Sequence, residues 1–158
     1  IIDAYNLGTY IITCVGISYD NNFLWLWDAA TQKIIKLNKD KKPIFESNNL
    51  SLFTGTTIEP SQIIEHGIYL YILDKNKIIF IFDNQGNFIK NIPIKDIDAL
   101  QIIDNQIIYH KENCIYSYNT LTFTEIKYTQ TPKLHKIYVG KNILCGINEN
   151  GLTEIWKY

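Results

Sequence analysis

The 158-residue chain has no arginine and no methionine. Without arginine, no bidentate guanidinium fork can clamp a phosphate or a carboxylate. The formal net charge is -1 and the pI is near 6.3. That leaves none of the basic excess that phosphate binding needs, so no nucleic-acid partner is expected. Alanine occurs four times and valine twice, against thirty isoleucines. Scarce alanine argues against helices. No run approaches the roughly 18–20 apolar residues of a membrane span. Cysteine is limited to Cys14, Cys114 and Cys145, an odd count with no CxxC spacing. Each lies among apolar neighbours and is expected as a buried thiol acting as a small hydrophobe; one disulfide plus a free thiol is the alternative. There is no GxSxG, P-loop or GxGxxG, and no cofactor or metal is expected.

What is present favours strands. Eleven Tyr, seven Phe and three Trp accompany the isoleucines, and β-branched and aromatic residues suit a pleated, half-buried surface. With 46% hydrophobic and 20% charged residues, the chain can bury a core and is not disordered. It opens inside an apolar stretch, Ile1-Ile2-Asp3-Ala4-Tyr5, rather than at Met. A trimmed chain is expected, with any export signal upstream.

An internal repeat organises the sequence. Asn76, Asn113 and Asn150 stand 37 residues apart, each in a short turn. Asn tolerates the left-handed backbone of such turns, and Gly151 supplies it without steric cost. Strand-like runs flank each turn: Ile68 to Leu73 and Ile78 to Phe82, Gln106 to Tyr109 and Cys114 to Tyr118, Asn142 to Cys145 and Leu152 to Trp156. The same step links Ile63, Leu100 and Ile137 in the strand before each hairpin. A fourth strand follows in two copies, Asn87 to Ile92 and Thr124 to Tyr128. An earlier, degenerate copy comprises Phe23 to Trp27, Gln32 to Leu37 and Pro43 to Ser47. The Thr- and Ser-rich stretch Leu50 to Pro60 reads as a surface loop.

Four-stranded units of roughly 40 residues in series are the mark of a β-propeller. One blade cannot cover both its faces, and stacking buries the alternating apolar residues between neighbours. The expected fold is therefore all-β, a propeller of four-stranded antiparallel blades with a period near 37 residues. Residues 1–158 form one such domain, or the C-terminal part of one. About three and a half to four blades are visible, as part of a larger ring. The segment Ile1 to Tyr5, or equally sequence upstream of it, is a candidate strand for its closure. A β-sandwich is the alternative architecture.

Candidate chemistry is sparse. His66, His110 and His135 fall in three different units without HxH or HxxxH spacing and are expected at surfaces or strand edges. Asp28, Asp74, Asp83, Asp96, Asp98 and Asp104 mostly follow strands, where aspartate starts a turn. Asp83 to Asn87 lacks the spacing and terminal Glu of a calcium loop and reads as a hairpin turn with Gly86 left-handed. Lys39, Lys41 and Lys42 most simply solvate a loop. Trp25 and Trp27 share one face of a strand. They either fill the space between blades or form an exposed aromatic platform. Trp25, Trp27 and Phe53 are the candidate interface residues.

The run Asn22 to Asp28 followed by Thr31 to Leu37, with the C-terminal run Leu134 to Tyr158, resembles small exported propeller-like envelope proteins of Bacteroidota, of the flavobacterial type. The resemblance covers most of the chain from about Tyr10 onward. It implies export to the periplasm or outer membrane and carries no catalytic residue. The expected function is a non-enzymatic propeller that binds other proteins, as an accessory subunit of a membrane-associated envelope complex. A carbohydrate-binding or carbohydrate-processing propeller is the alternative. A WD40-like intracellular scaffold is a further one, for which Trp27-Asp28 supplies a single Trp-Asp pair.

Overall fold

The computed structural model describes residues 10–18, 22–76, 78–92, 94–140 and 143–157. The candidate closing segment, Ile1 to Tyr5, lies outside them. The chain divides into two compact units, residues 1–93 and 94–158.

The first unit holds two antiparallel four-stranded sheets whose strands follow chain order. Strands β1 (Ile12–Ile17), β2 (Leu24–Asp28), β3 (Lys33–Leu37) and β4 (Pro43–Glu46) form the first. Strands β5 (Pro60–His66), β6 (Tyr69–Asp74), β7 (Ile79–Asp83) and β8 (Phe88–Ile92) form the second. The alternation Leu24-Trp25-Leu26-Trp27 explains how they pack. Trp25, Trp27 and Ile34 leave the first sheet on one face and meet Leu70, Ile72, Phe80 and Phe82 of the second. Leu26, Ile35 and Leu37 gather on the opposite face with Tyr10, Ile12 and Leu24.

The first copy of the repeat is therefore complete. It gains β1, which the strand runs from Phe23 onward leave out. Its β-branched stretch Ile11-Ile12-Thr13 is the sequence signal for it. Glycine decides where β1 lies. A Cβ on Gly16 would stand 2.5 Å from the Ile63 carbonyl oxygen and 2.9 Å from Ile63 Cβ.

Among the described residues, the second unit repeats the pattern with one strand fewer. Strands β9 (Ala99–Ile103), β10 (Gln106–Lys111), β11 (Cys114–Asn119) and β12 (Glu125–Gln130) form the third sheet. Strands β13 (Leu134–Gly140), β14 (Ile143–Asn148) and β15 (Thr153–Lys157) form the fourth. Ala99, Ile108 and Ile115 pack on Leu134, Ile137 and Leu144, with Val139 and Trp156 at the margin.

The 37-residue step survives as strand register. Ile63 pairs with Ile72, Leu100 with Tyr109 and Ile137 with Gly146. The turns form where expected, but of the three repeated asparagines only Asn113 (φ 57) is left-handed; Asn76 and Asn150 are not, and in the last hairpin Gly151 (φ 77) takes that conformation instead, as Gly86 (φ 77) does in its own turn.

The link between the first two sheets is more than a surface loop. Ser51–Thr54 forms a one-turn helix, α1. Leu50 before it and Ile58 after it are fully buried in the core shared by the two sheets. Among the described residues no helix is long and apolar enough to cross a membrane.

Candidate interface

Gln32 positions the link. With φ 56 it occupies the left-handed region in the β2–β3 turn, and its main chain and side chain grip the two ends of the loop. The Leu50 N–H donates to the Gln32 carbonyl at 2.8 Å. The Ile58 N–H donates to Gln32 Oε1 at 2.8 Å. Between these anchors, Leu52 and Phe53 face solvent side by side, 78% and 47% exposed. Phe53 thus stands where an interface residue can act, and Leu52, which the sequence reading passed over, stands beside it. An adjacent apolar pair inside a Ser- and Thr-rich stretch is the signal that could have found it.

Trp25 and Trp27 require a correction. Both are 0% exposed and lie in the core between the first and second sheets. Phe45 meets Trp25 edge-on, with ring centroids 6.2 Å apart. They are spacers between sheets, as their alternation with Leu allowed, and are not available as a surface platform. Neither indole N–H finds a hydrogen-bond partner, a cost that so much apolar burial offsets. Above Trp25, the Lys36 ammonium lies 4.6 Å from its ring and 4.4 Å from that of Phe23. It also pairs with Glu65 at 3.3 Å, so one half-buried cation joins β3 to β5.

The turn aspartates form a repeated device. Asp28 is buried at the end of β2 and accepts from the N–H groups of Ile11 (2.8 Å) and Ala30 (3.2 Å), and from the Thr31 hydroxyl. Burial pushes its carboxyl up, but these hydrogen bonds outweigh that and hold it below the ordinary aspartate range. Asp74, at the end of β6, accepts from Asn76 N–H (2.7 Å) and Glu59 N–H (2.6 Å). Each carboxylate therefore caps a hairpin and ties down the residue that leads into the first strand of its own sheet. Asn148 fills the position in the fourth sheet, accepting from Asn150 and Leu152 N–H.

The third sheet inverts the device. Asp98 now precedes the first strand, and His110 near the end of β10 reaches it, Nδ1 to Oδ2 at 3.2 Å. His110 is fully buried, contrary to the expected surface or edge placement. Its neighbours on β10, Ile107, Ile108 and Tyr109, are buried with it. Burial pushes its pKa down, against the upward pull of Asp98, and Nε2 has no hydrogen-bond partner. His66 is half-buried and His135 exposed. Asp83 caps the β7–β8 hairpin, accepting from Gln85 and Asn87 N–H. Lys39, Lys41 and Lys42 are exposed. All three cysteines are free thiols; Cys114 is buried, while Cys14 and Cys145 are only half-buried.

The second unit adds a groove of about 640 Å³ between its two sheets. Ile108, Ile115 and Tyr128 line it from the third sheet, and Leu144, Ile155 and Trp156 from the fourth. Trp156, the one tryptophan to which the sequence reading gave no role, is half-buried there.

No family model and no curated protein matches the sequence. Solved structures do match. The computationally designed Ika4 protein superposes with TM-score 0.67 at 13% identity, over 98% of this chain and 95% of that one. BamB from Moraxella catarrhalis gives 0.65 at 15%, over 97% of this chain and 48% of that one. Kuenenia stuttgartiensis hydrazine synthase gives 0.68 at 15%, over 98% and 49%. The chain thus spans nearly all of Ika4 and about half the length of the other two. At such identities the likeness is one of fold. The fold is a β-propeller, and the sandwich alternative is set aside.

Proposed function

We propose that the protein is a non-enzymatic β-propeller that binds other proteins, as an accessory subunit of a bacterial cell-envelope assembly. One observation carries the reading. Leu52 and Phe53 project from a helical turn whose two flanks, Leu50 and Ile58, are sunk in the core. A rigidly based apolar projection holds contact area in place at little entropic cost on association. Exposed apolar residues on a loop held by a rigid scaffold are a common form of binding surface. The likeness in strand pattern to exported flavobacterial proteins supports placing it in the periplasm or at the outer membrane.

The test is copurification from mild-detergent extracts of native membranes, with wild-type protein and Phe53→Ala side by side. A stoichiometric partner should come down with wild type and be depleted with the variant, while the circular dichroism spectra match. Equal recovery by both proteins would remove Phe53 from the interface. A wild-type protein that comes down alone, as a monomer, would overturn the subunit reading.

A further inference from the structure

We propose that the turn between β11 and β12 is a membrane-contacting tip, with Leu121 and Phe123 entering the interfacial layer of a lipid bilayer. It is a different surface from Leu52 and Phe53, with a different partner, and it stands independently of the protein-binding reading.

The repeat singles this turn out. The hairpins between the third and fourth strands of the first three sheets all use the left-handed backbone, at Lys41 (φ 60), Gly86 (φ 77) and Phe123 (φ 59). Phe123 stands one 37-residue step after Gly86. A bulky residue in that conformation carries strain that glycine would avoid. Strain of this kind persists where the surrounding structure holds it, and it gathers at functional sites. What the phenylalanine gains here is display. Phe123 is 64% exposed, and Leu121, two residues earlier, is 67% exposed.

The polar groups of the tip select the partner. The N–H groups of four successive residues are bonded within the third sheet. Thr120 N–H donates to the Asn105 carbonyl at 2.8 Å, and Phe123 N–H to the Asn119 carbonyl at 2.9 Å. Leu121 and Thr122 N–H both donate to Asn119 Oδ1, at 2.9 Å and 3.1 Å. The Thr120 hydroxyl donates to the Asn105 carbonyl at 3.1 Å, and the Thr122 and Thr124 hydroxyls share a hydrogen bond of 2.8 Å. A protein interface draws about one hydrogen bond per 100–200 Å² from its two surfaces, and these donors are already committed. A bilayer sets the opposite requirement, since polar groups that leave water there must be satisfied inside the protein.

Charge fixes the mode of contact. No charged residue lies between Glu112 and Glu125, so the tip loses no ionic hydration on insertion. At its base, Glu125 accepts a hydrogen bond from Tyr109. Asp104, beside Asn105, is exposed, as are Glu125 and Lys127. One lysine against two carboxylates makes no cationic patch for anionic headgroups. The contact is therefore apolar and shallow, with the carboxylates left in the headgroup water.

The test mixes the full chain with phosphatidylcholine vesicles, with and without phosphatidylglycerol, and reads the bound fraction by flotation. Binding to both is expected, with little change on adding salt. Phe123→Gly and Leu121→Ser should each weaken it about tenfold, the effect of losing one large apolar contact. Phe123→Gly relieves the strained backbone and should melt no lower than wild type, so its lost binding cannot come from unfolding. Phe123→Trp should bind at least as well, because indole favours the interface. No binding to either vesicle, or binding that Phe123→Gly and Leu121→Ser both retain, would overturn the proposal. Binding confined to the phosphatidylglycerol vesicles and abolished by salt would overturn it in favour of an electrostatic contact. A copurified protein lost with Phe123→Gly, without vesicle binding, would assign the tip to that protein instead. Phe53→Ala should deplete the copurified partner and leave vesicle binding unchanged, so the two readings fail separately.

Discussion

Gly16 lies against Ile63 so closely that a methyl group at its Cα would meet the Ile63 carbonyl oxygen at 2.5 Å. The obstacle is backbone, which cannot rotate aside as a side-chain end can. Gly16→Ala must therefore part β1 from β5. It should cost about 1–3 kcal/mol, the usual penalty for overpacking, read as a lower denaturation midpoint with an unchanged m-value. An unaffected midpoint would show that the two strands slide freely.

Asp28 holds three donors drawn from two stretches of chain. Asp28→Ala leaves the Ile11 and Ala30 N–H groups without their acceptor, which should cost about 2–3 kcal/mol. Asp28→Asn keeps an acceptor and should cost less. Hydrogen exchange at Ile11 and Ala30 should rise in the alanine variant. Equal effects of the two substitutions would mean that the charge, not the acceptor geometry, supplies the stability.

His110 makes stability depend on pH in a particular direction. Burial holds its folded-state pKa below the ordinary 6.5. Just below pH 6.5 the unfolded chain binds a proton that the folded chain refuses. Stability is therefore full above that value and falls as pH drops toward the folded-state pKa, by up to about 1.4 kcal/mol per pH unit. Asp28 and Asp83, held below 3.8, lose their contributions only at lower pH. Urea unfolding between about pH 7 and pH 5 should show the slope, and His110→Gln should flatten it. An identical slope in the variant would assign it to other groups.

Trp25 and Phe53 should separate core from surface. Trp25→Ala empties a fully buried site and should cost about 3–5 kcal/mol, enough to unfold much of the protein. Phe53→Ala, on a half-exposed ring, should change stability by no more than about 0.5 kcal/mol. Thermal melts of the two variants decide this directly. A stable Trp25→Ala protein would mean that its neighbours collapse into the space.

The sequence by itself determined most of the strands, the hairpin turns and their period, though not β1 or the helical turn Ser51–Thr54. Alternating apolar residues specify a strand whichever sheet it joins, and Asn113, Gly86 and Gly151 mark backbone positions that few other residues take without strain. Those are local requirements, so they are written locally. Tertiary structure alone decided which apolar residues stay outside. Trp25 and Phe53 are both large aromatics, yet one is sealed between two sheets and the other stands on a helical turn. The difference lies in Gln32, Leu50 and Ile58, which come together only after folding. Likewise His110 is an ordinary strand residue until the third sheet closes around it, and Trp156 lines a groove because residues of the third and fourth sheets meet there. Burial depends on what other segments bring near a residue, and no window of sequence contains those segments.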